Sequence, residues 1–313
     1  IFKKKYSRES IWLGLFIVLV WGSGDLLKNV SWVNKINSPL KVSLIQGNIS
    51  QDKKWDSKFL NESLIKYMRL IKSSNASLIV LPETSIPLML HQIPNSYLNE
   101  IRSHAIKNDG DVILGVIEKE NEEFYNSAIS IGTAPMQRYR KFHLVPFGEF
   151  IPFNKIIGYI YKNWLDIPFS DLSRGLEIQP PIVLSGQRLG LNICYEDVFG
   201  YEINKSLPEA TLLVNISNDA WYGKSIAASQ HLQISQARAM ETQRMMLRAT
   251  NTGVTAIIDI NGSLISSLPQ HEEGVLDGIV QGYKGSTPFS MYGNYPLIIL
   301  CLLSLLFTVR SKK

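Results

Sequence analysis

Cysteine is nearly absent from this chain: among 313 residues only Cys194 and Cys301 occur, and Cys301 sits in an apolar tail. That excludes a disulfide framework, and with it the small stapled folds of secreted domains. Histidine is scarce as well, and the five present show no zinc-ligand spacing, so neither a metal nor a cofactor is expected. No Gly-x-Ser-x-Gly elbow is present, which removes the common serine hydrolases. Gly223-Lys-Ser225 has the closing residues of a phosphate-binding loop, but Asn218 stands where its first glycine belongs, and nucleotide binding is rejected. There is no internal repeat and no low-complexity segment. The net charge of +5 is carried by the ends, through Lys3, Lys4, Lys5 and Arg8 at one and Arg310, Lys312 and Lys313 at the other. The interval between them is slightly acidic, so no nucleic-acid partner is expected.

Long apolar runs are likewise confined to the ends. Ile11 to Val20 is an apolar decad that Trp21 to Leu27 extends, and Tyr295 to Val309 is apolar except for Ser304 and Thr308. Both are short for a membrane span, and a buried helix is the competing reading. The flanking charges favour one transmembrane helix at each end. Basic clusters lie outside both runs, which puts both ends in the cytoplasm and everything between on the opposite side. Trp21-Gly-Ser-Gly-Asp25 is a poor cleavage site, so the first run reads as an anchor rather than a signal peptide. The chain begins with Ile rather than Met, as a fragment or a processed chain would. Three regions are expected: a flank and transmembrane helix over 1–30, a catalytic domain over 38–286, and a transmembrane helix with a basic tail over 292–313.

Between the ends, β-rich runs alternate with helical patterns, which predicts an α/β layered domain. Strands are expected over Val42 to Gln46, Leu78 to Leu81, Val112 to Val116, Tyr125 to Ile131, Ile182 to Leu184 and Leu189 to Ile193. Further strands are expected at Val254 to Ile260, Leu264 to Leu268 and Gly274 to Val280, with Asn261-Gly262 as a hairpin turn. Helices are expected at Ser57 to Lys72 and Ser96 to Lys107, and the longest at Ala227 to Arg248. On that last helix Arg238, Glu241, Arg244 and Arg248 read as a charged face of i,i+3 and i,i+4 pairs. Pro152 to Leu176 breaks the pattern: no strand is evident, yet large apolar and aromatic residues crowd it, and a long irregular insertion is usually functional.

Cys194 ends a strand-like run and is followed by Glu196 and Asp197, which read as a helix start. A cysteine at a strand-to-helix turn can hold its sulfur clear of the sheet, near backbone N–H groups that stabilise a thiolate and an oxyanion. By itself it reads more readily as a small buried hydrophobe. Two further residues share its placement. Glu83 follows Leu78-Ile-Val-Leu81, and Lys141 follows the run Arg138 to Arg140. A carboxylate base, a cation and a thiol at three strand ends form the set that thiol acyl chemistry needs. Taken singly, Glu83 and Lys141 read as solvated loop-end charges. Lys141 is expected to lower the thiol pKa of Cys194. His143 reads as a structural histidine.

Longer motifs enclose these three residues. Leu81-Pro-Glu-Thr84, Tyr139-Arg-Lys-Phe-His-Leu-Val-Pro-Phe-Gly-Glu149 and Asn192-Ile-Cys-Tyr-Glu-Asp197 resemble those of the nitrilase superfamily, and more narrowly its membrane-bound bacterial branch, the apolipoprotein N-acyltransferase family. Gln46-Gly-Asn-Ile49, Lys54-Trp55, Ser217-Asn-Asp-Ala-Trp-Tyr-Gly223 and Arg248-Ala-Thr-Asn-Thr-Gly-Val254 extend the resemblance over residues 40 to 285. It implies a four-layer αββα sandwich with Glu83, Lys141 and Cys194 as a catalytic triad. Glu149, Tyr195 and Glu196 would support the triad, and Trp55 would lie near it. The implied reaction is ping-pong acyl transfer at a bacterial inner membrane, on its periplasmic side. A phospholipid, typically phosphatidylethanolamine, acylates the cysteine, and the acyl group passes to the α-amine of diacylglyceryl-cysteine in an apolipoprotein. The family carries several membrane helices ahead of this domain, where one is expected here. The competing readings are a membrane-tethered amidase acting on small C–N bonds and a non-catalytic binding module.

Two apolar stretches flank the expected site, one with Leu88 and Leu90, the other with Phe153, Tyr159, Trp164 and Phe169. Their composition suits lipid-contacting arms that cover an acyl groove, although each residue singly is as well explained as core.

Overall fold

In a computed structural model, residues 8–27, 30–152 and 171–310 are described. The chain divides into two compact units, Ile1–Trp32 and Val33–Lys313. The first holds helix α1, Arg8–Leu27.

The second unit is built on two six-stranded sheets. One has the order β12-β1-β2-β3-β4-β5 and the other β11-β10-β9-β8-β7-β6. In the first sheet, β1 (Val33–Gln46), β2 (Leu78–Val80) and β3 (Asp111–Glu120) run parallel. They are flanked by antiparallel β4 (Glu123–Gly132), β5 (Arg138–Arg140) and β12 (Gly274–Gly285). The second sheet repeats the plan, with parallel β7 (Gln187–Ile193), β8 (Leu212–Ser217) and β9 (Met246–Thr250) at its centre. Antiparallel β6 (Ile182–Leu184), β10 (Thr255–Ile258) and β11 (Leu264–Leu268) complete it.

Period-two alternation decides which side chains meet. Val42, Leu44, Val80 and Ile113 from one sheet pack on Leu189, Leu191, Val214 and Leu247 from the other, forming the central core. Their neighbours in sequence face outward. Ile45, Ile79, Val112 and Leu114 pack under helices α2 (Leu60–Ser73) and α3 (Asn95–Lys107), joined by Tyr67, Ile71 and Ile101. Leu213, Met246 and Ile258 pack under α4 (Ala227–Thr242) with Ala239. The result is the expected αββα layering, and the helical faces follow from the 3.6-residue period of α2.

Two expectations fail here. The helix expected to reach Arg248 stops at Thr242, where Gln243 takes a left-handed conformation with φ of 47°. Arg244 and Arg248 are fully buried rather than on a charged helix face, and Arg248 lies in β9. Only the Arg238–Glu241 pair forms as expected, at 3.0 Å. Strand β8 is the second departure, since no element was expected over Leu212–Ser217.

The chain closes with α5 (Pro288–Tyr292) and α6 (Tyr295–Arg310). Among the described residues no helix is long and apolar enough to cross a membrane. The 16 residues of α6 rise only about 24 Å against a hydrocarbon thickness of about 30 Å, and the 20 of α1 include Arg8, Glu9 and Asp25. The expected transmembrane helix at each end is therefore not met by these helices alone. Both expose large apolar side chains, among them Trp12, Phe16 and Leu19 on α1 and Leu297, Leu303 and Leu306 on α6.

Candidate active site

The ends of three strands bring the reactive side chains together. Beyond β2 the chain continues beside β3, Leu81 donating from its N–H to the Ile113 carbonyl, and delivers Glu83 just past the strand's end. This close approach requires Gly115, because a Cβ there would stand 2.3 Å from the Pro82 oxygen and 2.7 Å from the Glu83 Cα. Lys141 follows β5, anchored by its N–H to the Asn126 carbonyl at 2.8 Å. Cys194 follows β7 at φ of 54°, a left-handed conformation that costs a non-glycine residue about 1–2 kcal/mol. Strained residues of this kind cluster where geometry serves function. Glu83, Lys141, Glu149 and Cys194 all line one cavity of about 300 Å³.

Hydrogen bonds fix the carboxylates. Glu83 accepts from Asn126 Nδ2 at 2.7 Å, from the Asn218 N–H at 2.8 Å and from Lys141 Nζ at 3.4 Å. Glu149 accepts from Lys141 Nζ and Asn126 Nδ2, both at 2.9 Å, and from the Val145 N–H at 2.8 Å. Lys141 is thus buried between two carboxylates. Burial opposes its charge, but the Glu149 and Glu83 carboxylates outweigh it and hold its pKa well above the ordinary lysine value. A fixed ammonium at this point can stabilise an oxyanion.

Cys194 departs from expectation. Burial raises its thiol pKa, Glu83 raises it further, and Lys141 only partly offsets them. The resting group is a thiol, so a base must take its proton as it attacks.

The cavity floor is polar and its rim is not. Val145, Pro146, Phe147, Gly148, Asn218, Trp221 and Tyr222 complete the lining among the described residues. Phe147, Trp221 and Tyr222 are each about half exposed, at 49%, 56% and 51%. A smaller cavity of about 60 Å³ shares Glu83, Glu149, Asn218 and Trp221 and adds Trp55.

The carbon-nitrogen hydrolase family profile matches residues 41–288, which takes in both sheets except the first half of β1, and every residue of this cavity. The chain belongs to the carbon-nitrogen hydrolase family. Among curated relatives, the apolipoprotein N-acyltransferase of Nitrosomonas europaea is 48% identical over 305 residues, covering 95% of this chain and 61% of that protein. That of Chromobacterium violaceum is 41% identical over 311 residues, covering 97% and 60%. The chain therefore spans about three fifths of the length of the curated relatives it matches. Among solved structures, the C. elegans NitFhit protein superposes with a TM-score of 0.61 at 18% identity, covering 78% of this chain and 61% of that one. A CN-hydrolase superfamily protein of Xanthomonas campestris gives 0.58 at 18% identity, covering 78% and 91%. At that identity the likeness concerns the fold.

Other singled-out residues of this chain take definite places. Glu196 is buried and clamps two segments together: it accepts from the Ile193 N–H at 2.7 Å, from the Phe142 and His143 N–H groups at 2.7 and 3.1 Å, and from the Tyr139 hydroxyl at 3.0 Å. Burial pushes its carboxyl up to about 7 against the pull of those backbone donors. The turn it sits in is a single 3-10 segment, Cys194–Val198, and not the start of a long helix. Tyr195 packs its ring edge-on to His143 and Phe199. His143 in turn stacks on Phe199 at 3.7 Å and bonds Glu202 at 2.8 Å, a structural placement. Leu88 and Leu90 are partly buried and packed against the core under α2 and α3. Phe153, Tyr159, Trp164 and Phe169 lie outside the described residues.

Sequence reading missed several participants. Asn126 bridges Glu83 and Glu149, and nothing in a β-strand asparagine signals that. Lys54 is buried, donating to the Glu83 carbonyl at 3.2 Å and the Thr84 hydroxyl at 2.6 Å, and burial lowers its pKa to about 8. Its adjacency to Trp55 in a family-like motif was the one available clue. Behind Cys194 lies a buried charged cluster of Asp197, Asp219, His231 and Arg248. Three of its members, Asp197, Asp219 and Arg248, stood in the family-like motifs, but nothing there signalled that they meet.

Proposed function

We propose that this chain carries the acyl-transfer centre of an apolipoprotein N-acyltransferase. The observation that carries the reading is the cavity in which Glu83, Lys141 and Cys194 meet under an apolar, half-exposed rim. The relatives of that name support the choice of substrates. Glu83 takes the thiol proton as Cys194 sulfur bonds to the ester carbonyl of a phospholipid, phosphatidylethanolamine being the expected donor. Lys141 and the Tyr195 N–H hold the oxyanion. Collapse releases the lysophospholipid alcohol, which takes the proton back from Glu83, and leaves a thioester. The α-amine of a diacylglyceryl-cysteine then attacks the thioester, forming the amide and returning the thiol. Glu149, Asn126 and Glu196 keep the groups in register, and Trp55 walls the smaller cavity beside Glu83. The apolar rim of Phe147, Trp221 and Tyr222 receives the acyl chain. Residues Phe153, Tyr159, Trp164 and Phe169 have a composition suited to the same task, as lipid-contacting arms.

The domain works at the bacterial inner membrane, on the periplasmic side, with its flanking helices as anchors. What supports this is their exposed apolar surface and the basic residues at their outer ends. Helices shorter than the bilayer are accommodated by local thinning and by snorkelling of flanking basic residues.

The test is mass spectrometry of the chain incubated with phospholipid alone. An acyl adduct on Cys194, discharged by a diacylglyceryl-peptide with a free amine, is the expected outcome. Amide hydrolysis with no adduct from phospholipid would instead favour the amidase reading.

A further inference from the structure

The cluster behind Cys194 is built around His231. Its Nδ1 lies 2.9 Å from Asp219 Oδ1, and its Nε2 lies 2.9 Å from Asp197 Oδ1 and 3.2 Å from the Cys194 carbonyl oxygen. Every one of these partners is an acceptor, so both ring nitrogens must donate and the ring is an imidazolium. Arg248 balances the second charge, with Nη1 3.4 Å from Asp197 Oδ2 and Nη2 3.0 Å from Asp219 Oδ2. Ser235 of α4 also donates to Asp197, at 2.6 Å. Asp197, Asp219 and Arg248 are buried, and the carboxylate pair raises the His231 pKa to about 9 despite burial and the nearby arginine.

Consequences follow for the one group this cluster shares with the nucleophile. The Cys194 carbonyl accepts from His231 and from Asn215 Nδ2 at 3.3 Å. In a planar trans peptide the carbonyl and the following N–H point in opposite directions. A carbonyl held toward His231 therefore turns the Tyr195 N–H to the other side of the link. A cation on the carbonyl oxygen also draws electron density from the peptide and makes that N–H a stronger donor.

We propose that His231 is a positioning residue for the oxyanion hole: gripping the Cys194 carbonyl, it orients and polarises the peptide whose N–H, on Tyr195, stabilises the oxyanion. The proposal rests on the acyl-transfer reading. In the step concerned, sulfur bonds to the acyl carbon, the carbonyl π pair moves to oxygen, and the thiol proton passes to Glu83. His231 loses no proton and touches no reacting atom.

The test separates thiol reactivity from oxyanion stabilisation. Alkylation of Cys194 by iodoacetamide is a displacement that forms no oxyanion, whereas acylation by p-nitrophenyl butyrate forms one. In the full chain, His231→Gln should lower the acylation rate relative to the alkylation rate by fivefold or more. Because that variant leaves one excess buried carboxylate, the charge-balanced Asp219→Asn/His231→Gln double variant is measured beside it and should show the same split. A smaller change in that ratio in whichever variant folds, by melting and circular dichroism, overturns the proposal. Wild-type chain that is alkylated but never acylated would sink the acyl-transfer reading instead, which keeps the two failures apart.

Discussion

Burial and the Glu83 carboxylate hold the Cys194 thiol above its ordinary pKa, so the proposed nucleophile exists as a thiolate only while a base is taking its proton. Cys194→Ala should therefore form no acyl adduct. Cys194→Ser should form at most a few per cent of the wild-type amount, because an alcohol is a still weaker acid. Intact-mass measurement after incubation with phospholipid reads both, and a tenth of wild-type adduct in either would remove Cys194 from the role. His231 makes a second prediction, on stability. Its pKa is raised from 6.5 to about 9 in the fold, so its contribution is complete below pH 6.5 and lost as the pH rises through 9. Lys54, lowered to about 8, works the other way, its burial penalty being relieved only above that pH. Between pH 6.5 and 8 the unfolding free energy should thus fall by about 1–2 kcal/mol on account of His231. Urea titrations across that interval should show a flatter slope in His231→Gln; equal slopes would contradict the charge assigned to the ring. At the acid end Asp219, lowered to about 2, gives a loss of stability as the pH drops below about 4.

Among the elements, β3 sets the position of Glu83, the proposed base. Gly115 lets the backbone of Pro82, Glu83 and Thr84 lie against the strand, and the Ser85 N–H closes the contact by donating to the Gly115 carbonyl at 2.9 Å. A methyl group there meets backbone atoms that cannot rotate away. Gly115→Ala should cost about 1–3 kcal/mol of stability and displace Glu83 from Asn126 and Lys141. Thermal melts would register the first effect, and a fall in acylation by p-nitrophenyl butyrate the second. Unchanged values of both would show that the segment yields easily. Strand β9 illustrates the same dependence on alternation. Leu247 and Ala249 face the core between the sheets, while Met246 faces α4 and Arg248 reaches Ser235 on that helix.

At the scale of the whole molecule, a polar centre opens through an apolar rim on a domain flanked by two apolar helices. Exposing ten methylenes of an acyl chain to water costs roughly 8 kcal/mol, so a covered path to Cys194 matters to a lipid substrate and not to a small soluble one. Trp221→Glu should slow acylation from phospholipid vesicles at least tenfold while leaving alkylation by iodoacetamide within a factor of two. Parallel loss of both reactions would make Trp221 a structural residue. The proposed topology rests on the basic ends: reporter fusions after Lys313 should read cytoplasmic, and a periplasmic signal there would invert that orientation.

The sequence by itself determined what depends on neighbours along the chain. The alternation of Leu189, Leu191 and Ile193, the helical face of Tyr67, Met68 and Ile71, and the strand ends carrying Glu83, Lys141 and Cys194 were legible because short-range periodicity and turn chemistry produce them. Longer motifs around those residues carried the family. Tertiary structure decided whatever depends on burial of charge. Arg248 has the spacing of a helix-surface residue and is instead enclosed with Asp197 and Asp219, two carboxylates from turns distant in sequence that compensate the buried guanidinium. The same holds for Lys54 and His231, whose partners are 12 to 37 residues away in sequence. The sign of the Cys194 shift was hidden for the same reason. A nearby lysine is visible in a motif, whereas the desolvation that outweighs it exists only once both sheets have closed around the sulfur.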